Sequence, residues 1–291
     1  MAISRRDILL GSAALFATLP TFARAAANAE NKLAALEHRH NGRLGVAILD
    51  TGNGKRLAHR AGERFGLCST FKFLAAAAVL HRVDRGEDDL ARRVGYGKAD
   101  LLSYAPETSK HVGEGGMALG ALCAAAVELS DNTAANLMLA SLGGPSGVTR
   151  YARSLLDDVT RLDRTEPTLN IIAPGDPRDT TTPAAMLGLM QSILIGDALS
   201  PASRKQLQDW MLASKTGSRR IAAGLPKNWR IGDKTGTGAK AEANDIAIIW
   251  PPKRAPILVA AYYEGGGEPP AARDAVLADV GRLIAETFPD T

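Results

Sequence analysis

Residues 44–49 are Leu44-Gly45-Val46-Ala47-Ile48-Leu49, an apolar run whose length and branched side chains are typical of a β-strand. Asn53-Gly54 follows it and predicts a tight turn, and Leu57 to Arg60 predicts the returning strand. A lone hairpin is not stable, so this one needs partners. They come only near the end of the chain, at Arg230 to Lys234, Asp245 to Trp250 and Ile257 to Tyr263. The two chain ends are therefore predicted to share one five-stranded antiparallel sheet.

Between these strands the pattern is helical, with apolar residues recurring at helical spacing. The predicted helices are Phe71 to Val83, Leu119 to Leu129, Thr133 to Leu142, Pro183 to Ile195 and Pro201 to Leu212. A short helical pattern at Lys32 to His40 and an amphipathic one at Ala271 to Phe288 flank the sheet. We predict an α/β domain over 26–65 and 214–291, with an all-α domain over 66–213 inserted into it. Clefts between domains are common ligand sites, so the crossovers are the first places to search.

Composition excludes several classes of protein. The chain has 291 residues, of which 45% are hydrophobic and 23% charged, so it is a globular protein and not a disordered or collagenous one. Arg5, Arg6, Arg24 and Asp7 contribute +2 of the formal charge of +4, and no Lys/Arg run is longer than a pair, so a nucleic-acid partner is disfavoured. The five histidines are scattered, which argues against a metal site.

The first 25 residues have the layout of a secretory signal peptide, with a basic start, an apolar stretch from Ile8 to Leu19 and a small-residue exit at Ala23-Arg24-Ala25. The apolar stretch is too short to span a bilayer. Ser4-Arg5-Arg6-Asp7-Ile8-Leu9 favours a twin-arginine signal, and a general secretory signal is the alternative. We expect export to the periplasm, no stable membrane association afterwards, and a monomer.

One segment shows neither the helical nor the strand spacing of apolar residues. Residues 161–179 contain Pro167, Pro174, Gly175 and Pro177, and the stretch is too long for an ordinary connection. Long loops in compact domains are usually functional, and the flanking helices argue against a disordered linker. We therefore expect a functional loop here.

Ser69-Thr70-Phe71-Lys72 lies where a helix begins, so the serine hydroxyl and the lysine amine project from the same face of its first turn. A serine becomes nucleophilic when a neighbouring base takes its proton, and a helix N-terminus offers backbone N–H groups to a carbonyl oxyanion. Such a motif also arises by chance about once in a chain of this length. The alternative is a helix-capping serine beside a solvated lysine.

Two further motifs lie at the crossovers. Ser130-Asp131-Asn132 interrupts the apolar pattern between two helices, with helix capping as the alternative. Lys234-Thr235-Gly236-Thr237 continues a strand and is followed by Gly238, as expected where a strand comes close to a ligand. Lys215-Thr216-Gly217 repeats three of these letters, but it follows a helix and is interpreted as a helix exit.

The three motifs in this order resemble those of the penicillin-recognising serine enzymes. Glu166-Pro167-Thr168-Leu169-Asn170 inside the long loop makes the chain similar to the class A β-lactamases, and the resemblance extends along essentially the whole mature chain. It includes residues 175–183 and Asn244-Asp245-Ile246-Ala247. The resemblance implies the β-lactamase/transpeptidase-like fold, hydrolysis of penicillins and cephalosporins, and no metal or organic cofactor.

The resemblance also implies roles for individual residues. Ser69 would attack the lactam carbonyl, and backbone N–H groups of Ser69 and Thr237 would hold the oxyanion. Ser130 would protonate the leaving nitrogen, and Lys72 and Lys234 would keep the surroundings of Ser130 electropositive. Glu166 and Asn170 would hold the hydrolytic water. Either Lys72 or Glu166 through a water would take the Ser69 proton, and the sequence leaves this open.

Substrate binding is implied in the same way. The substrate carboxylate and the strand beside it would be held by Lys234, Thr235, Gly236 and Thr237, supported by Arg220 and Arg273. Asn132 would bind the acylamino group and Tyr104 would form a wall of the cleft. For the loop, the resemblance implies an Arg164–Asp179 salt bridge and a cis Glu166–Pro167 bond.

Two further expectations concern thiols and charge. Where the family often has the partner cysteine of Cys123, this chain has Ala76, and where a carbapenem-hydrolysing subgroup has the partner of Cys68, it has Gly238. Both cysteines are therefore predicted to be free. Nearness of Lys234 is predicted to lower the Lys72 pKa by like-charge repulsion.

Two other functions share the three motifs. A cell-wall D,D-peptidase would lack the deacylating residues Glu166 and Asn170, whereas a penicillin sensor would be acylated without turnover. The long loop favours the hydrolase.

Overall fold

A computed structural model describes residues 19–239, 241–265 and 269–289, with side chains described from residue 30 onward. Residues 1–18 of the predicted signal peptide, and the side chains of its remaining residues, lie outside this range. The helices are α1 (Leu19–His40), α2 (Phe71–Asp84), α3 (Leu119–Glu128), α4 (Asn132–Ser141), α5 (Ser146–Ser154), α6 (Pro183–Leu194), α7 (Pro201–Leu212), α8 (Ile221–Gly224) and α9 (Pro270–Thr287). The strands are β1 (Arg43–Asp50), β2 (Arg56–His59), β3 (Phe65–Gly66), β4 (Arg93–Val94), β5 (Met117–Ala118), β6 (Thr180–Thr181), β7 (Arg230–Thr237), β8 (Glu242–Trp250) and β9 (Ile257–Glu264).

The main sheet has five antiparallel strands in the order β2-β1-β9-β8-β7, so the predicted sheet from both chain ends is confirmed. Its register runs from Ala47 to Ala260, then to Ile246, and then to Lys234 on the edge strand β7. Strand β2 begins and ends one residue earlier than predicted, and β7 continues three residues further, through Thr237. The Lys-Thr-Gly motif is therefore part of the ladder.

Both faces of the sheet are covered, which explains why β1 is apolar throughout. Leu44, Val46 and Ile48 face a core formed with α1 and α9, whereas Ala47 and Leu49 face the larger core built around α2. Side chains alternate between the two faces of a strand, so a strand covered on both sides needs apolar residues at every position. In α2, residues 71–80 are all buried.

The predicted helices in the insert are confirmed to within about two residues at their ends. Helices α5 and α8 were not predicted. The latter has four residues, too few to show a helical period, and α5 has nine and begins just after Gly143-Gly144-Pro145, which predicts a turn. The assignment of residues 26–65 and 214–291 to one domain and 66–213 to another stays a prediction.

The loop at 161–179 is closed at its base. Residues Arg161 and Thr180 form a β-bridge, and the buried Asp179 carboxylate accepts the backbone N–H groups of Asp163 at 2.7 Å and Arg164 at 2.9 Å. The Arg164 guanidinium forms a salt bridge with Asp179, as predicted, and Glu166–Pro167 is cis, as predicted. The loop therefore has a fixed anchor just before Glu166.

Candidate active site

Ser69 lies just before the N-terminus of helix α2. A 3₁₀ turn at Cys68–Thr70 leads directly into α2, and Cys68 has a left-handed backbone with φ of 45°. A non-glycine residue in this region is strained and is commonly found at functional sites. Ser69 is nearly buried, and Lys72 on the next turn is completely buried.

Lys72 makes three strong contacts through its amine. Nζ donates to the Ser130 carbonyl oxygen at 2.8 Å and to Asn132 Oδ1 at 2.6 Å, and it lies 3.1 Å from Glu166 Oε1. Burial of a charged amine is costly unless acceptors surround it. These acceptors suit the ammonium form and tie α2, the Ser130 turn and the long loop to one atom.

The Glu166 carboxylate contacts the Ser69 hydroxyl directly. Ser69 Oγ donates to Glu166 Oε1 at 3.2 Å, and Asn170 Nδ2 donates to Oε2 at 2.6 Å. The backbone of Glu166 is held by Asn136, whose Nδ2 donates to the Glu166 carbonyl at 2.9 Å and whose Oδ1 accepts its N–H at 3.0 Å. The carboxylate is thereby fixed within proton-transfer distance of the hydroxyl.

Ser130 bridges the two buried lysines. Its Oγ accepts from Lys234 Nζ at 3.1 Å and lies 3.3 Å from Lys72 Nζ. Its backbone is left-handed, with φ of 59°. The adjacent Asp131 caps α4 by accepting the Ala134 N–H at 2.9 Å, so this motif both caps a helix and lines the site.

Burial is the main cause of the altered lysine pKa values. The Lys72 pKa is lowered because the ammonium is buried, and the negative charge of Glu166 opposes this effect. The predicted direction was correct, and burial of the ammonium contributes most to it. For Lys234 the pKa is well below its ordinary value, first through burial and second through repulsion from Lys72.

The far wall of the site is formed by β7 and the residues beside it. Arg220 Nη2 donates to Thr237 Oγ1 at 2.7 Å, and Nη1 donates to the Gly236 carbonyl at 2.7 Å. Its Nε donates to Asp274 Oδ1 on α9 at 2.8 Å. Thr235 Oγ1 is 2.7 Å from Thr216 Oγ1. These contacts direct hydroxyl groups and positive charge towards the cleft.

Most of the predicted residues meet at one cleft of about 600 Å³. Its lining comprises Ser69, Tyr104, Ser130, Asn132, Asn170, Lys215, Thr216, Ser218, Arg219, Arg220, Thr235 and Thr237. Lys72, Glu166 and Lys234 lie behind this lining, in contact with it. Gly236 is a buried residue of β7, and a side chain at this position would contact Leu67, Cys68 and Asn244.

Arg273 is the predicted residue that the structure does not bring to the cleft. It is buried on α9 and is absent from the described lining. The next residue, Asp274, instead contacts Arg220. The implied role of Arg273 near the substrate carboxylate stays a prediction.

Three polar residues of the site were not predicted from the sequence. Asn136 is four residues after Asn132 and so lies on the same helix face, a spacing that could have indicated it. Thr216 belongs to the Lys215-Thr216-Gly217 repeat, which was interpreted only as a helix exit and in fact lines the cleft. Asp274 gave no signal, because it is one acid on an amphipathic helix.

Both cysteines are free and buried, as predicted. Cys68 precedes the reactive serine, and burial raises the pKa of its thiol well above the ordinary value. A thiol in this state is a weak nucleophile. Ser69 is thus the nucleophile available to a ligand in the cleft.

The comparisons with known proteins agree with this geometry. A sequence model described as the β-lactamase enzyme family matches residues 28–288. The chain belongs to this β-lactamase family. Its expected β-lactamase fold is shared by a solved ancestral class A β-lactamase (GNCA), with a TM-score of 0.88 and 60% identity, covering 89% of this chain and 100% of that one.

Two curated β-lactamases are also similar over nearly their whole length. β-Lactamase CTX-M-8 of Citrobacter amalonaticus is 46% identical over 282 residues, which are 97% of this chain and 94% of the relative. β-Lactamase L2 of Stenotrophomonas maltophilia is 46% identical over 297 aligned positions, which cover 97% of this chain and 98% of the relative. The family expected from the motifs is confirmed.

Proposed function

We propose that this class A β-lactamase opens the lactam ring of penicillins and cephalosporins through an ester of Ser69 and thereby confers resistance. The observation that carries this assignment is the contact of one carboxylate oxygen, Glu166 Oε1, with both Ser69 Oγ at 3.2 Å and Lys72 Nζ at 3.1 Å. A hydroxyl, a proton acceptor and a cation within this distance make up an activated serine.

Acylation begins at Ser69. Glu166 takes the hydroxyl proton, and Ser69 Oγ attacks the lactam carbonyl carbon. The Lys72 ammonium donates to acceptors on three sides, so we assign it electrostatic stabilisation and give Glu166 the role of base. Backbone N–H groups of Ser69 and Thr237 stabilise the oxyanion of the tetrahedral intermediate.

Ring opening needs a proton on the lactam nitrogen. Ser130 Oγ supplies it, and the hydroxyl recovers a proton by way of Lys72, which touches both Ser130 and Glu166. Lys234, at 3.1 Å from Ser130 Oγ, stabilises negative charge that develops there. The proton removed from Ser69 thus reaches the leaving nitrogen.

Deacylation uses the same carboxylate. Glu166 accepts a proton from a water that attacks the ester, and Asn170 orients the carboxylate through its 2.6 Å bond to Oε2. This pair supports hydrolysis over a D,D-peptidase, which would lack it, and over a sensor, which would not release the acyl group. The bond between the acyl carbon and Ser69 Oγ then breaks, and Oγ takes the proton that Glu166 removed from the water, so both residues return to their starting state.

Binding uses the other residues of the cleft. The substrate carboxylate is bound by Thr235 and Thr237, with Lys234 and Arg220 supplying positive charge. Asn132 binds the acylamino group, and the half-exposed Tyr104 forms the outer wall.

Export is proposed from the sequence. The basic start and short apolar stretch of residues 1–25 support a periplasmic protein exported by the twin-arginine route. In the part of the chain that the structure describes, no helix meets the length and apolarity needed to cross a membrane. We further propose a monomer without stable membrane association.

Turnover of a chromogenic cephalosporin tests the proposal. Purified wild-type protein is expected to open many equivalents per chain, and Ser69→Ala none. A single stoichiometric burst followed by no further hydrolysis would favour the sensor. Cleavage of D-Ala-D-Ala peptides with no β-lactam turnover would favour the peptidase.

A further inference from the structure

The charged side chains that line the cleft are all cationic in the described part of the chain. They are Lys215, Arg219 and Arg220. Arg220 is buried, and its guanidinium donates hydrogen bonds to Gly236 and Thr237 of β7 and to Asp274. Lys215 and Arg219 have no role in the hydrolysis proposed above, although both reach the space that a substrate fills.

The two cations lie along the edge of β7. The segment between α7 and α8 follows this edge, because Thr216 Oγ1 is 2.7 Å from Thr235 Oγ1 and Arg220 Nη2 is 2.7 Å from Thr237 Oγ1. Lys215 and Arg219 are the immediate neighbours of these two contact residues. They therefore flank the threonines assigned to the substrate carboxylate.

Both side chains are available to bind an anion. Lys215 is exposed, and among the described residues the carboxylate that interacts with its amine electrostatically is that of Glu128, which is not within 4 Å of it. The Arg219 side chain is 79% exposed and donates through Nε alone to Asp274 Oδ2, at 3.1 Å. Its two terminal nitrogens have no hydrogen-bond partner among the residues that the structure describes, so they can bind a planar anion.

The buried carboxyl groups behind β7 do little to cancel this positive charge. Burial raises the pKa of Asp233, and burial together with repulsion from Asp233 raises the pKa of Asp245 well above its ordinary value. Both shifts favour the neutral acid. The carboxylates that do face the lining cations are Asp274, which pairs with Arg219 and Arg220, and Glu128, which interacts electrostatically with Lys215.

We propose that Lys215 and Arg219 form a second anion subsite for cephalosporins whose C3 substituent is itself ionised. In a cephalosporin C3 is bonded to C4, which carries the ring carboxylate. A substituent on C3 consequently extends to the side of the cleft where that carboxylate binds. The inference rests on the proposed function, since it assumes that the ring carboxylate binds at Thr235 and Thr237.

The test compares two cephalosporins with the same 7-acylamino group, one with a neutral and one with an acidic heterocyclic substituent at C3. The quantity measured is the ratio of their kcat/KM values for wild type, Lys215→Gln, Arg219→Gln and the double variant. Lys215→Arg should retain the wild-type ratio. Lys253→Gln is the control of equal charge change, because Lys253 follows Trp250 at the opposite end of the sheet from Thr237.

Each single substitution should lower the kcat/KM ratio of the acidic to the neutral cephalosporin about threefold. The double variant should lower it about tenfold, as expected for exposed ion pairs. Raising the ionic strength should lower the wild-type ratio and leave that of the double variant nearly unchanged. An unchanged ratio with turnover intact would overturn the subsite. Equal losses on both substrates would also overturn it, because they would show that Arg219 acts through Asp274 and Arg220.

Failure of the proposed function has a different signature. If wild-type protein hydrolysed neither substrate, equilibrium binding of the same pair to Ser69→Ala would still test the subsite. Preferential binding of the doubly charged cephalosporin that disappears in the Lys215→Gln/Arg219→Gln background supports the inference. Equal binding of the pair contradicts it.

Discussion

Replacing Asp179 with asparagine tests how the loop that carries Glu166 is held. The buried carboxylate of Asp179 accepts two backbone N–H groups at the start of the loop, at 2.7 and 2.9 Å, and pairs with the Arg164 guanidinium. Asparagine keeps an oxygen at this place but removes the charge. The change therefore weakens three interactions without creating a large cavity.

The expected magnitude follows from those contacts. A charge-assisted hydrogen bond that becomes neutral loses about 1 kcal/mol, so the two backbone bonds lose about 2 kcal/mol. The ion pair adds about 1 kcal/mol, because Arg164 is 21% exposed and partly solvated. The total of about 3 kcal/mol is a large part of the stability of a single domain. Arg164→Gln, which leaves the backbone bonds intact, should cost about 1 kcal/mol.

Urea unfolding and acid-quenched intact mass measure the two consequences. The unfolding midpoint should fall for both variants, and further for Asp179→Asn than for Arg164→Gln. Displacement of Glu166 by about 1 Å should slow its chemistry on the order of a hundredfold, so Asp179→Asn should show acyl-enzyme at steady state. Wild-type stability and deacylation in Asp179→Asn would refute the idea that this anchor positions Glu166.

Two other predictions concern Asn136 and Glu37. Asn136→Ala leaves the backbone N–H and carbonyl of Glu166 without these partners, so it should cost about 2–4 kcal/mol in thermal unfolding and lower kcat more than KM. Asn136→Asp keeps the acceptor but replaces the donor with a carboxylate oxygen that repels the Glu166 carbonyl, so it should lower kcat as well, and equal kcat values for both variants and wild type would contradict the role. Glu37 has its pKa lowered to about 2, chiefly by hydrogen bonds from Arg60, so its stabilisation is present above pH 4.5 and is lost as the pH falls towards 2. Glu37→Gln should therefore cost about 1 kcal/mol at pH 7 after solvent screening, and a wild-type advantage that stayed constant down to pH 2 would exclude this cause.

The sheet was predictable because its strands are covered on both faces. An apolar run such as Leu44 to Leu49 needs no periodicity to be recognised when turn residues bound it. The end of β7 was harder to predict. Gly236 lowers strand propensity, yet pairing of Thr235 with Asp245 and of Thr237 with Ala243 continues the ladder. Pairing between distant segments decided that boundary.

The site was predictable where its residues belong to local motifs. Ser69 with Lys72, and Ser130 with Asn132, are each within one helical turn or one tight turn. Asp274 is different, because it meets Arg220 only when α9 packs against the segment before α8. A contact between residues 54 positions apart leaves no trace in local spacing. The extent to which Lys72 is buried depends in the same way on contacts between distant segments, since Ser130, Asn132 and Glu166 surround its amine.

Intact mass spectrometry of Glu166→Ala tests the central claim most directly. The variant is incubated with excess cephalosporin and sampled over time, beside wild type and Ser69→Ala. If Glu166 frees the ester of Ser69, Glu166→Ala should accumulate one adduct per chain, more slowly than wild type is acylated because the variant also lacks the base of the first step, whereas wild type should show little adduct and Ser69→Ala none. Loss of the adduct from Glu166→Ala at the wild-type rate, or an adduct on Ser69→Ala, would contradict the account.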